Sequence, residues 1–135
     1  MVERWEPLPI RRLARIYEVS DHGRIKSVDR VLRRYRIHGN DGKIGPERVH
    51  AMRIKGRLLK PYLMKIGYLR VTLGPEEEQF YLHKLIAMAF VANPRRLCEI
   101  NHKDLDKTNN HWVNLEWVTH AENMAHWRKL GNREA

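Results

Sequence analysis

Four polar residues near the C-terminal end of the chain carry the chemistry that the sequence can offer. Asn101 and His102 fall at the end of an apolar-edged run, Glu99-Ile100-Asn101-His102. Asn114 opens a second run, Asn114-Leu115-Glu116-Trp117-Val118, and Asn123 lies just inside the segment that follows it. An imidazole whose ordinary pKa is near 6.5 can take a proton near neutral pH. Brought together, these groups could hold one metal ion beside one general base.

Bringing them together needs a strand, a loop, a strand and a helix. The helix start is marked by Thr119-His120-Ala121-Glu122, which fits a capping box with Thr119 as N-cap and Glu122 reaching back to its backbone N–H. Met124, Trp127 and Leu130 recur at three-residue spacing and are expected to form the buried face, with Gly131 ending the helix. Upstream, His83–Phe90 reads as an amphipathic helix with Leu85, Ile86, Met88, Ala89 and Phe90 available to the core, and Asn93-Pro94 stops it. Leu58–Met64 and Gly67–Leu73 read as strands, with Gln79–Leu82 a third. The turn Gly74-Pro75-Glu76-Glu77-Glu78 is expected to be solvated, because adjacent carboxylates fan apart.

The remainder of the chain is basic. Residues 1–75 hold 18 Lys+Arg against 7 Asp+Glu, whereas residues 76–135 hold 8 against 9, so the formal charge of +10 sits wholly in the first part. A one-sided excess of this kind points to a polyanion, with phosphate neutralisation as the driving force. Ile16–Val19 and Arg24–Val28 read as short strands joined by Ser20-Asp21-His22-Gly23, where Gly23 can supply a positive φ. Residues 29–57 show no clean period and read as a basic loop or β-arm able to order on a nucleic-acid backbone. The expected contacts are Arg24, Lys26, Arg30, Arg33, Arg34, Arg36, Arg53, Lys55 and Arg57.

Composition excludes several classes. With 42% hydrophobic residues the chain can bury a core, and its single cysteine, Cys98, excludes a disulfide framework and a four-cysteine zinc site. The longest apolar run, Leu85 to Ala92, is too short to span a bilayer, and no apolar leader is visible. A cytoplasmic protein that does not bind membranes is the expectation. Asp104-Leu105-Asp106-Lys107-Thr108 begins like a calcium loop. However, Asn109 stands where an EF-hand needs glycine and Leu115 where it needs the bidentate glutamate.

Five ordered blocks at compatible spacing now carry a resemblance. They are Leu82-His83-Lys84-Leu85-Ile86-Ala87-Met88-Ala89-Phe90, Asn101-His102-Lys103-Asp104, Asp106-Lys107-Thr108-Asn109-Asn110, Asn114-Leu115-Glu116-Trp117-Val118-Thr119 and Glu122-Asn123. The run from Tyr81 to Trp127 resembles the HNH nucleases of the ββα-metal fold, particularly phage and intron-encoded homing endonucleases. The stretch containing Trp5 and Tyr17–Ser27 resembles the nuclease-associated modular motif that often precedes phage HNH domains and is linked to DNA binding. The resemblance implies an α+β protein: a basic N-terminal β-arm and a small antiparallel sheet followed by the ββα-metal motif, divided into a DNA-binding part at 1–57 and a nuclease part at 58–135.

By carry-over from the family, His102 is the general base, Asn101 and Asn123 are ligands of one Mg²⁺ or Mn²⁺ ion, and Asn114 holds the long loop that orients the histidine. The family more often has Asp at the position of Asn101, His at that of Asn123 and Gly at that of Leu105. His83 is expected to be structural or to contact phosphate, and His126, three residues after Asn123 on the same helix face, is an alternative ligand or a phosphate contact. His111 and His120 are expected to be exposed or to cap. The implied function is hydrolysis of double-stranded DNA by a monomer or a dimer on DNA, with one site per chain giving a nick. The competing class is a DNA-binding protein on a degenerate HNH scaffold. An RNA-binding module lacks the expected aromatic stacking pattern.

Overall fold

The computed structural model describes residues 2–35 and 49–131, with the side chains of residues 34, 35, 49, 50 and 131 outside that description. The order is β1 (Trp5–Pro7), β2 (Tyr17–Ser20), β3 (Ile25–Ser27), β4 (Arg30–Tyr35), β5 (Val49–Ile54), β6 (Tyr62–Leu63), β7 (Leu69–Leu73), β8 (Glu78–Tyr81), α1 (Leu82–Phe90), β9 (Glu99–His102), a 3₁₀ turn (Trp112–Asn114), β10 (Leu115–Val118) and α2 (His120–Gly131). Among the described residues the strands form four small antiparallel sheets, β1-β2-β3, β4-β5, β6-β7-β8 and β9-β10.

The β2–β3 turn forms as its residues require. Gly23 takes φ +85° and its N–H donates to the Ser20 oxygen at 3.1 Å. Of the loop or β-arm expected at 29–57, the described part is the β-arm, with Arg30 opposite Ile54 and Tyr35 opposite Val49. The expected strand Leu58–Met64 shrinks to Tyr62–Leu63. The reason is competition: Leu58 bridges to Lys26, and the Leu59 N–H donates to Ile25 O at 2.9 Å, so this stretch extends the β3 edge.

Helix α1 is the centre of the packing. Leu82, Leu85 and Ile86 recur at i, i+3, i+4 and are 0–1% exposed. Each contributes on the order of 1.5–3 kcal/mol by leaving water. They meet Leu8, Leu13, Val19 and Ile25 from the N-terminal segments, Val71 and Leu73 from β7, and Leu115 from β10. One core therefore ties the basic motif to the β9–β10 ribbon. Met88, expected in this core, is exposed because it falls beyond the edge of the Leu82–Leu85–Ile86 stripe. Helix α2 is capped as anticipated, with Thr119 N–H donating to Glu122 Oε2 at 2.9 Å and Glu122 N–H to Thr119 Oγ1 at 3.1 Å. Its expected buried face is shallow: Trp127 is 38% exposed and carries Lys107 Nζ 5.5 Å from its ring centre. No described helix is long and apolar enough to cross a membrane.

Candidate active site

The ribbon pairs Asn101 with Glu116 and His102 with Leu115. Successive side chains leave a strand on opposite faces, so Glu99 and Asn101 share one face of β9 and His102 leaves by the other. On the first face lies α2. Glu99 Oε2 accepts from Asn123 Nδ2 at 3.0 Å, and its other oxygen lies 2.8 Å from His120 Nδ1. These two hydrogen bonds hold the Glu99 carboxyl below its usual range. Asn101, only 3% exposed, donates its Nδ2 to Glu116 Oε1 at 2.8 Å. Each amide thus gives its NH₂ to a glutamate, which also decides which end is oxygen: a carboxylate cannot face Oδ1.

The fit of a cation can be tested on one atom. Asn123 Oδ1 is buried and has no hydrogen-bond partner among the described residues. A buried acceptor left in this way is costly, and a hard cation is one group that would satisfy it. Among the described residues no three His, Cys, Asp or Glu side chains converge as a metal cluster. A cation here would therefore rest on amide oxygens, with Glu99 and Glu116 fixing their direction.

On the second face, His102 is 4% exposed and its Nε2 lies 2.9 Å from Asn110 Oδ1. With the Asn110 oxygen turned to the ring, Nε2 donates and the lone pair is left on Nδ1. Burial pushes the His102 pKa down, against the opposing effects of the Asn110 hydrogen bond and the Asp104 and Asp106 charges, so the ring is neutral near pH 7. The ring is 5.1 Å, centre to centre, from His83 and 5.9 Å from Tyr68. Lys107 Nζ lies 4.7 Å above the Tyr68 ring and reaches Trp127, one turn beyond Asn123, so the two faces meet around α2.

The loop between the strands is held by Asn114. Its Nδ2 donates to Asp104 Oδ1 and to Asn109 O, both at 2.9 Å, and its Oδ1 accepts from Asp104 N–H at 3.1 Å. Asp104 also accepts from Asp106 N–H and Asn109 Nδ2, so its oxygens serve the turn. Leu105, where the resemblance expects glycine, takes φ +64°. Asn114→Ala would strand these groups inside the loop and is expected to cost about 2–3 kcal/mol in urea unfolding. A change below 0.5 kcal/mol would show that the loop stands without it.

His83 is structural in the sense anticipated: its ring lies between Tyr68 at 4.9 Å and Tyr81 at 5.5 Å, with a buried Nδ1. Burial, with the His102 and Lys84 charges adding to it, lowers its pKa from 6.5 to about 4. The unfolded chain then binds the extra proton between those values, so stability is full above pH 6.5 and falls as pH drops towards about 4. The expected loss from this group is roughly 3 kcal/mol, measured by urea unfolding at pH 7 and near pH 4. His102, lowered in the same direction, adds to it. His83→Phe should flatten the dependence; an unchanged slope would place the titrating group elsewhere.

Of the expected DNA contacts, Arg36 lies outside the described residues, as does the side chain of Arg34. Arg24 pairs with Glu3 and lies over Trp5, and Lys26 sits 3.3 Å from Glu18 and 4.1 Å above the same ring. Arg33, Arg53, Lys55 and Arg57 are exposed on and just after the β4–β5 arm, with Arg30 half-buried at its base. His126 Nε2 is buried and without a partner among the described residues. His111 caps the 3₁₀ turn through Nδ1, and His120 is exposed. The expectations above gave no role to Asn110, Glu99 or Glu116. Asn110 was legible only as one of two adjacent asparagines, and the glutamates only through strand register.

An antiparallel ribbon closed by a helix, with a histidine ending one strand and asparagines at the loop and helix, is the ββα arrangement of HNH nucleases. A family model described as NUMOD4 motif matches residues 3–74, and one described as HNH endonuclease matches residues 80–125. The chain belongs to the HNH endonuclease family, in a form that carries a NUMOD4 motif. It is 35% identical over 88 residues to an uncharacterized HNH endonuclease of Acanthamoeba polyphaga mimivirus, covering 64% of this chain and 25% of that one. It is 35% identical over 78 residues to DNA endonuclease I-HmuI of Bacillus phage SP01, covering 56% of this chain and 45% of that one. A solved structure described as DNA binding and cleavage by the HNH homing endonuclease I-HmuI superposes with TM-score 0.65 at 27% identity. It covers 95% of this chain and 59% of the other. The chain thus spans a quarter to under a half of these two curated relatives.

Proposed function

We propose that this protein is a divalent-metal-dependent DNA endonuclease that nicks double-stranded DNA. The observation that carries the proposal is His102: buried, neutral and held through Nε2, it has its Nδ1 lone pair available to take a proton from an attacking water. Asn101 and Asn123 would hold one Mg²⁺ or Mn²⁺ ion through amide oxygens that Glu116 and Glu99 orient. When bound, such an ion supplies Lewis-acid polarisation of the scissile phosphate and stabilises the departing oxygen. Asn114 keeps the loop closed, so that Asn110 stays in reach of His102. Residues 1–57 would grip the phosphate backbone through the arm cations, and residues 58–135 would cut. One site per chain gives a nick, and two chains on one duplex would be needed for a double-strand break.

A second reading is favoured by one observation: both ligand positions are neutral amides, which weakens hold on a cation before phosphate adds its oxygens. In that reading the chain binds DNA without cutting it. Supercoiled plasmid incubated with and without Mg²⁺ or Mn²⁺ separates the two. Conversion to open circles only with metal supports the nuclease; binding without conversion under either metal supports the binding protein.

A further inference from the structure

The Ser20–Gly23 turn belongs to the segment matching the NUMOD4 motif, yet its contacts run to the loop that holds the histidine. Asp21 O accepts from Trp112 N–H at 2.9 Å. A Cβ on Gly23 would lie 2.9 Å from both the carbonyl carbon and oxygen of Asn110, closer than real Cβ atoms come to backbone. The His22 ring stands 4.7 Å from that of His111. Arg4 donates to the buried Asp21 carboxylate through its backbone N–H at 3.0 Å and Nε at 3.1 Å. Its guanidinium lies 5.7 Å from the Phe90 ring centre and 5.9 Å from that of Trp112. Residues 110, 111 and 112 are therefore each met by the turn or by Arg4. The middle of this chain of contacts is Asn110, 3% exposed, whose side-chain oxygen bonds His102.

We infer that the Ser20–Gly23 turn is a positioning element for His102: Gly23 packs on the backbone of Asn110, Asp21 holds Trp112 two residues on, and Asn110 sets the tautomer and rotation of the imidazole. The inference deepens the nuclease reading and rests on it for the meaning of His102, but not for the geometry. A small displacement suffices, because a shift of about 1 Å in a catalytic group can cost on the order of 10²-fold in rate. The basic motif then does more than hold DNA, since the same turn that follows β2 fixes the base.

The test uses nitrogen-resolved NMR of the imidazoles in the full chain, with plasmid nicking measured alongside. The native His102 is expected to show one protonated nitrogen, Nε2. In Gly23→Ala its nitrogen signals should move towards a mixture of tautomers, and nicking should fall by about 10–100-fold with plasmid affinity unchanged. Gly74→Ala is the control for backbone strain: Gly74 also has positive φ, +78°, but its Cβ would meet only Leu13 Cδ2 at 3.2 Å. That variant should leave the His102 signals and the nicking rate as in the native chain. Unmoved His102 signals in Gly23→Ala, or equal movement in Gly74→Ala, would overturn the inference. Should Gly23→Ala not fold, Asp21→Asn, which loosens Arg4, must show the same direction of change, and its absence overturns the inference equally. A native chain that never nicks defeats the nuclease reading alone, because the NMR comparison still decides the positioning.

Discussion

Replacing His102 with alanine is expected to slow plasmid nicking by about 10²–10⁴-fold while plasmid binding stays nearly unchanged, since a positioned general base contributes on that order. The cations proposed to bind DNA lie on a different part of the chain, on and beside the β4–β5 arm. The replacement also opens space beside His83 and Tyr68, so the thermal midpoint must be followed in the same samples. His102→Gln fills more of that space and offers no comparable base, so it should lose nicking to a similar extent with less loss of stability. Asn110→Ala keeps the base and loses its orientation, and a smaller fall on the order of tenfold is expected. Native rates in His102→Ala would remove this histidine from the chemistry altogether.

That ordering follows from features unequally visible in the amino-acid sequence. The Thr119/Glu122 capping box and the Gly23 turn are local: their hydrogen bonds join residues three apart, so residue types alone anticipate them. Strand β1 is the opposite case. It is three residues ending in Pro7, shows no period, and exists because Trp5, Glu6 and Pro7 pair with Ser20, Val19 and Glu18. The arm read only as a loop or β-arm without strand bounds, because neither face of β4 is apolar: Arg30 and Leu32 share one, Val31 and Arg33 the other. At the site, the resemblance to HNH nucleases is what singles out His102, Asn101, Asn114 and Asn123. The groups that orient them come from pairing across distance. Glu116 meets Asn101 because β10 sets them opposite, and Asn110 meets His102 because the loop folds back over eight residues.

Asn101→Asp tests whether the amide site is a working one. The amide now gives its Nδ2 to Glu116 Oε1 at 2.8 Å, and the substitution replaces that donor with a second carboxylate oxygen. Two like charges centred about 4 Å apart repel by about 4 kcal/mol at an effective dielectric constant near 20. The pair will share a proton instead of bearing the full cost. Without metal, the variant is therefore expected to lose about 2 kcal/mol near pH 7 in urea unfolding. The sign of the pH dependence follows from raised carboxylate pKa values: the penalty is present above them and fades as pH falls and the shared proton binds. Adding Glu116→Gln should restore most of the loss, because the glutamine NH₂ can donate to the new carboxylate. Mg²⁺ or Mn²⁺ should offset the repulsion, so the metal-induced rise in thermal midpoint is expected to be larger in Asn101→Asp than in the native chain. An equal rise in both proteins would show that Asn101 does not face the cation. Nicking then separates the two functional readings. A native chain that already nicks, with the variant changing chiefly the Mg²⁺ concentration needed, has an amide site that works once phosphate joins it. A native chain near zero that Asn101→Asp brings to life has kept the HNH scaffold for holding DNA, its cutting chemistry one carboxylate away.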